Sequence, residues 1–108
     1  LSPNELAVFR LIKSSPPTAD DFASHAALGI APSGVDECRA RSCSVFASQG
    51  PLDRLRLLPK FKQHRVVVRL TLTDQAGVVN CGQRGHYDWW PFKTFDPVRH
   101  CTVVHEYT

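Results

Sequence analysis

Between His64 and Thr73 the chain alternates with a period of two: Val66, Val68, Leu70 and Leu72 on one side, Arg65, Val67, Arg69 and Thr71 on the other. Successive side chains of a strand point to opposite faces, so this pattern specifies a half-buried β-strand with a basic outer face. A strand of that kind needs a sheet to pair in, and the sequence that follows supplies one. Asp74-Gln75-Ala76-Gly77 reads as a turn and Val78–Cys81 as a second strand. Gly82-Gln83-Arg84-Gly85 reads as another turn, and His86–Trp90 as a third strand. Pro91–Pro97 is an irregular, aromatic-rich connection, and His100–Tyr107 alternates again as the last strand.

The first half carries helix signals. Ser2-Pro3-Asn4-Glu5 is a capping-box pattern with proline at the first helical position, and it predicts a short helix over 3–13. A strand over 7–12 competes with it, because Val8, Phe9 and Ile12 favour β structure. Thr18-Ala19-Asp20-Asp21 starts a second helix, with Phe22, His25, Ala26 and Leu28 along it and Gly29 as its stop. A loop follows over 30–34, then one or two helical turns over 35–41 and a short strand over 42–47. Leu52, Leu55, Leu57 and Leu58 fit an amphipathic helix that Pro59 ends. Helices first and strands second imply an α+β fold: N-terminal short helices packed on a C-terminal antiparallel sheet of about four strands, in a single globular domain over 1–108.

Several function classes are set aside at this stage. With 43% hydrophobic and 21% charged residues the chain has the balance of a folded domain rather than a disordered one. No apolar run approaches the roughly 20 residues that cross a bilayer. The start, with Glu5 and Arg10 inside its apolar stretch, is a poor signal peptide. Cys38, Cys43, Cys81 and Cys101 fall below the density of a disulfide scaffold and read as reduced thiols in a cytoplasmic protein. Cys38-x4-Cys43 is looser than a zinc knuckle, and no glycine-rich phosphate fingerprint occurs, so neither a metal nor a cofactor is expected.

Two constellations carry the functional reading. Two glycines flank Arg84, so the backbone can turn tightly and project its guanidinium toward a phosphate or carboxylate. His86 and Tyr87 beside it can move protons, Asp88 can orient a neighbour, and one of Trp89 and Trp90 can floor a pocket. The plainer reading is a hairpin with a polar tip and one buried tryptophan. The second constellation is basic: Arg54, Arg56, Lys60, Lys62, Arg65 and Arg69 lie with His64 in a stretch free of acids. Such a surface suits a nucleic-acid backbone, although a solvated face paired with the acidic first half accounts for it equally simply. The candidate catalytic residues are therefore Arg84, His86 and Tyr87. The candidate binding residues are Arg65, Arg69, Trp89 and Lys93. If the last strand neighbours that of His86, His100 or His105 can approach it, as a metal-independent ribonuclease requires; satisfied structural histidines are the competing account.

Phe9-Arg10, Pro17-Thr18-Ala19-Asp20-Asp21-Phe22 and Ser44-Val45-Phe46 resemble segments of small bacterial toxin-like domains of the ADP-ribosyltransferase type. That resemblance implies a transferase using NAD. The late glutamate motif of such domains is missing, only Glu106 standing near its place, and no functional residue is carried over. The expected function is that of a small cytosolic bacterial protein acting on or binding RNA or another phosphate-rich partner, in the manner of a toxin-like module. The alternatives are a non-catalytic protein–protein interaction module and the NAD-using transferase.

Overall fold

Six strands form one antiparallel sheet in the computed structural model, which describes residues 5–23, 42–82 and 84–107. They are β1 (Leu6–Ile12), β2 (Cys43–Phe46), β3 (Val66–Leu72), β4 (Gly77–Cys81), β5 (His86–Pro91) and β6 (Cys101–Glu106). Their spatial order is β4-β5-β2-β1-β3-β6. Among the described residues two short helices accompany them, α1 (Gly50–Leu55) and α2 (Pro97–His100), with single 3-10 turns at Ala19–Phe22 and Pro59–Phe61.

This architecture corrects the α+β expectation. The helix anticipated over 3–13 is the strand β1, and it lies inside the sheet, paired along its whole length from Leu6 opposite Leu72 to Ile12 opposite Val66. The competing strand reading was the right one. The cause is burial on both faces. Val8 and Ile12 enter one core and Leu11 the other, so the segment is apolar on both sides and mimics a helix in sequence. The helix begun at Thr18 is a single 3-10 turn among the described residues. Its Asp21 carboxylate accepts from the Thr18 N–H (2.8 Å), the Thr18 hydroxyl (3.2 Å) and the Lys13 N–H (3.3 Å). Residues 1–4 and 24–41, with the remaining helical expectations, lie outside the described part. The sheet is therefore not a C-terminal layer of four strands: two of its six come from the N-terminal half and occupy its centre.

The connection from β3 to β4 shows how the sheet is shaped. These strands are separated by three others, and their facing ends lie at opposite ends of the register. A flat sheet would hold Leu72 and Gly77 roughly 30 Å apart, whereas the chain between them reaches at most about 18 Å. The sheet must roll up, bringing one face inside. That inner face holds Val8, Ile12, Val45, Val66, Val68, Leu70, Leu72, Val79 and Trp89, all buried. Trp89 donates its indole N–H to the Ala76 carbonyl at 3.2 Å, which fastens the β3–β4 link to β5. Gly77 closes the link at φ 139°, with the Trp90 carbonyl oxygen where a side chain would begin, so only glycine fits there. Phe95 and Val98, from the connection into β6, pack against the same core, and Phe95 meets the Trp89 ring edge-on at 5.9 Å.

The outer face is covered over one patch only by described elements. Leu52 of α1 is fully buried against Leu11 and Val67, with Leu55, Phe61 and Tyr107 around them. Tyr107 holds α1 in place: its N–H donates to the Arg65 carbonyl at 2.7 Å, its hydroxyl donates to Asp53, and the Arg56 guanidinium lies 4.3 Å over its ring.

The sheet also has a weak seam. β1 and β2 pair at the single position Phe9–Phe46. Beside it, the Arg10 side chain bridges the gap, donating to the Asp21 carbonyl (2.8 Å) and the Ser44 carbonyl (2.6 Å). A guanidinium thus satisfies two backbone acceptors, one on β2 and one in the 3-10 turn.

Candidate functional site: a basic hollow and the outer sheet face

The antiparallel pairing of β1 with β3 ends at Ile12–Val66, so Lys13 leaves the sheet beside the residues that enter β3. There a shallow depression of about 220 Å3 is lined by Lys13, Pro59, Lys60, Lys62, Gln63 and His64. Each wall has a local cause. Asp21 anchors the Lys13 backbone. Pro59 starts the 3-10 turn, and the Phe61, Lys62 and His64 N–H groups close successive turns onto the Leu58, Pro59 and Phe61 carbonyls. Phe61 plants that turn on the outer core, meets the His64 ring edge-on at 5.1 Å and carries the Lys60 ammonium 5.3 Å above its own face.

Electrostatically the hollow is positive. Burial lowers the pKa of His64, and Lys13 and Arg10 lower it further, with Asp21 opposing. Its Nδ1 is buried without a hydrogen-bond partner among the described residues. A group of cations that depresses a neighbouring imidazole is a group that an anion would relieve.

The sequence-predicted residues are distributed differently. Arg84 stands exposed at the β4–β5 turn with φ 56°, followed by Gly85 at 78°. His86 faces the outer side of the sheet, where its ring lies 5.1 Å from that of Phe46 and its Nε2 is 2.9 Å from Ser44 Oγ. Tyr87 and Trp89 turn to the inner face, Tyr87 against the core and Trp89 fully buried within it. The strand thus separates His86 from Tyr87, and Trp89 serves the core. Arg69 is exposed on the outer face of β3. Arg65 lies exposed just ahead of that strand, next to the hollow, and Lys93 is exposed in the turn after β5. His100 stacks on Phe95 at 4.8 Å, which itself meets Trp89 on the inner side, and His105 meets Tyr107 edge-on at 4.5 Å, so both have ring partners other than His86, which lies on the outer face.

Ser44, His86 and Asp88 form a trio that was not anticipated as a group. It is not a nucleophilic relay. The relay needs serine on one imidazole nitrogen and the carboxylate on the other. Here Asp88 Oδ1 lies 3.8 Å from the same Nε2 that meets Ser44. Nδ1 instead faces Gly82, where an added Cβ would come within 3.1 Å of it. The arrangement orients the imidazole rather than activating the hydroxyl. Arg10 and Ser44, both in segments that suggested a transferase, are joined at the structural seam.

Cys43, Cys81 and Cys101 are free thiols, and burial raises the pKa of Cys43 and Cys101. Among the described residues no three His, Cys, Asp or Glu side chains gather as metal ligands, and no helix is long and apolar enough to cross a membrane. Cys38 lies outside the described part.

The sequence shows Lys60, Lys62 and His64 within a basic block, whereas Lys13 stands apart from it. The signal was available: pairing the two apolar segments 6–12 and 66–72 in antiparallel register ends with Ile12 opposite Val66 and so brings Lys13 to the chain just ahead of β3. No protein-family model, curated protein or solved structure matches the chain, so the functional reading rests on this geometry alone.

Proposed function

We propose that this domain binds a phosphate-rich partner, RNA before others, through the hollow of Lys13, Lys60, Lys62 and His64. The observation that carries the reading is convergence: cationic side chains from two segments distant in sequence meet around one depression beside His64, whose pKa is lowered by burial first and then by Lys13. Phosphate groups are the anions that a lysine-rich surface of this kind attracts, and Arg65 extends the positive strip toward β3. The reading is one of binding; the Ser44–His86–Asp88 geometry supplies no relay for cleavage.

The test is a histidine titration by NMR with and without a 12-nucleotide RNA. Phosphate entering the hollow offsets the lysines, so the His64 pKa rises when RNA is bound. An unchanged His64 titration at saturating RNA removes the hollow from the binding surface.

A protein partner is the second reading. Leu57 is 70% exposed and adjoins Leu58, also exposed, directly before the hollow. A complex formed through these leucines would be insensitive to salt and lost in Leu57→Ser, whereas phosphate binding weakens steeply with salt.

A further inference from the structure

Four strands contribute one side chain each to a single row across the outer face. Arg69 on β3 is opposite Phe9 on β1, Phe9 is opposite Phe46 on β2, and Phe46 is opposite His86 on β5. At roughly 4.8 Å between strands the row spans about 14 Å. Arg84 stands at the turn leading into β5, beyond the His86 end. The rings of Phe9 and Phe46 remain half-buried at the edge of the patch that α1 covers one row away, on Leu11 and Val67. Ser44 fixes the imidazole of His86 beside Phe46, so the two rings are set before any ligand arrives.

Adjacent, partly exposed aromatic side chains on one sheet face, bounded by guanidinium groups, are what unpaired nucleobases stack on. Bases of every kind present a π-face, and their phosphates pair with the flanking cations. A duplex would hide its bases from such a row, and an acidic peptide would use the cations while leaving the rings idle. The geometry points to single-stranded RNA as the ligand, its bases stacked on Phe9, Phe46 and His86 and its backbone held by Arg69 and Arg84. This inference rests on the phosphate-binding reading of the hollow and adds the ligand class, because base contacts distinguish a nucleic acid from any other polyanion.

The experiment compares two probes on the full chain: a 12-mer of uridylate and an abasic 12-mer with the same sugar–phosphate backbone. The variants are Phe46→Leu and Phe9→Leu, which keep apolar bulk at the edge of the outer core but remove the ring, together with Lys60→Ala/Lys62→Ala. Melting temperatures are taken for each. The wild type should bind the uridylate probe about tenfold more tightly than the abasic one. Each leucine variant should lose most of that preference while binding the abasic probe as the wild type does. The double lysine variant should weaken both probes alike and keep the preference. Arg69→Ala, an exposed change that does not touch the core, should weaken both probes and serves as the arm independent of the rings. Equal affinity of the wild type for the two probes, or a preference that survives loss of both rings, overturns the stacking row and leaves the hollow standing. Failure of the wild type to bind either probe overturns the hollow and the row together.

Discussion

His64 and Arg84 illustrate how single residues couple structure to ligand. The His64 imidazole is held below its ordinary value of 6.5, first by burial and then by Lys13 and Arg10. A depressed pKa means that the unfolded chain takes up this proton before the folded one does as pH falls. The contribution to stability is complete above the unfolded value and is lost as pH drops through the folded one. The denaturation midpoint in urea should therefore fall below about pH 6.5, and His64→Gln should flatten that part of the profile. A midpoint as steep in His64→Gln as in the wild type would assign the effect to other groups. Arg84 occupies the left-handed region, which costs a non-glycine residue about 1 kcal/mol. Replacing it by glycine relieves that strain but loosens the unfolded chain by a similar amount, so Arg84→Gly should change stability by less than about 0.5 kcal/mol. RNA binding should nevertheless weaken by roughly threefold or more, as expected on removing one cation near the backbone. Denaturation and anisotropy measured on the same variant separate the two effects.

At the level of elements, the seam between β1 and β2 is where the sheet is most easily opened. Within the sheet a single backbone pair and one guanidinium join β1 to β2, and the two halves on either side otherwise meet through the shared inner core and the Trp89–Ala76 bond. Arg10→Ala leaves two carbonyls without their donor and should cost about 2–3 kcal/mol, measured by urea denaturation. Amides of β2 should lose hydrogen-exchange protection before those of β3. A loss below about 0.5 kcal/mol would mean that water replaces the arginine without penalty. The seam also explains what the sequence did and did not disclose. β3, β4, β5 and β6 were legible because Val66–Leu72 alternates strictly, glycine-bearing turns separate β3 from β4 and β4 from β5, and 100–107 alternates again. β2 was legible from the short run around Val45. β1 was not, because a strand buried on both faces loses the alternation that identifies strands, and its capping-like prelude favoured a helix. A strand read as a helix, together with a helix start at Thr18 that gives a 3-10 turn, turned a sheet-dominated fold into an expected α+β layer.

For the whole molecule, rolling the sheet decides which residues can act together. It sends Tyr87 and Trp89 inward, aligns Arg69, Phe9, Phe46 and His86 outward, and brings Lys13 to the Lys60–His64 turn. The cationic composition of the site was visible in the sequence as a stretch without acids, but its concavity depends on a pairing register between residues far apart in the chain. His86 and Arg84 were legible as chemistry-bearing residues; their separation from Tyr87 required knowing which face each occupies. The central claim is that the lysines of the hollow contact phosphate. It is tested most directly by the salt dependence of binding to a single-stranded RNA, measured for the wild type and for Lys60→Ala/Lys62→Ala. The logarithm of the binding constant should fall linearly with the logarithm of salt concentration, and the slope should be shallower by about 1.4 in the variant, two phosphate contacts at about 0.7 each. Identical slopes for the two proteins, or no binding at low salt, would contradict the account.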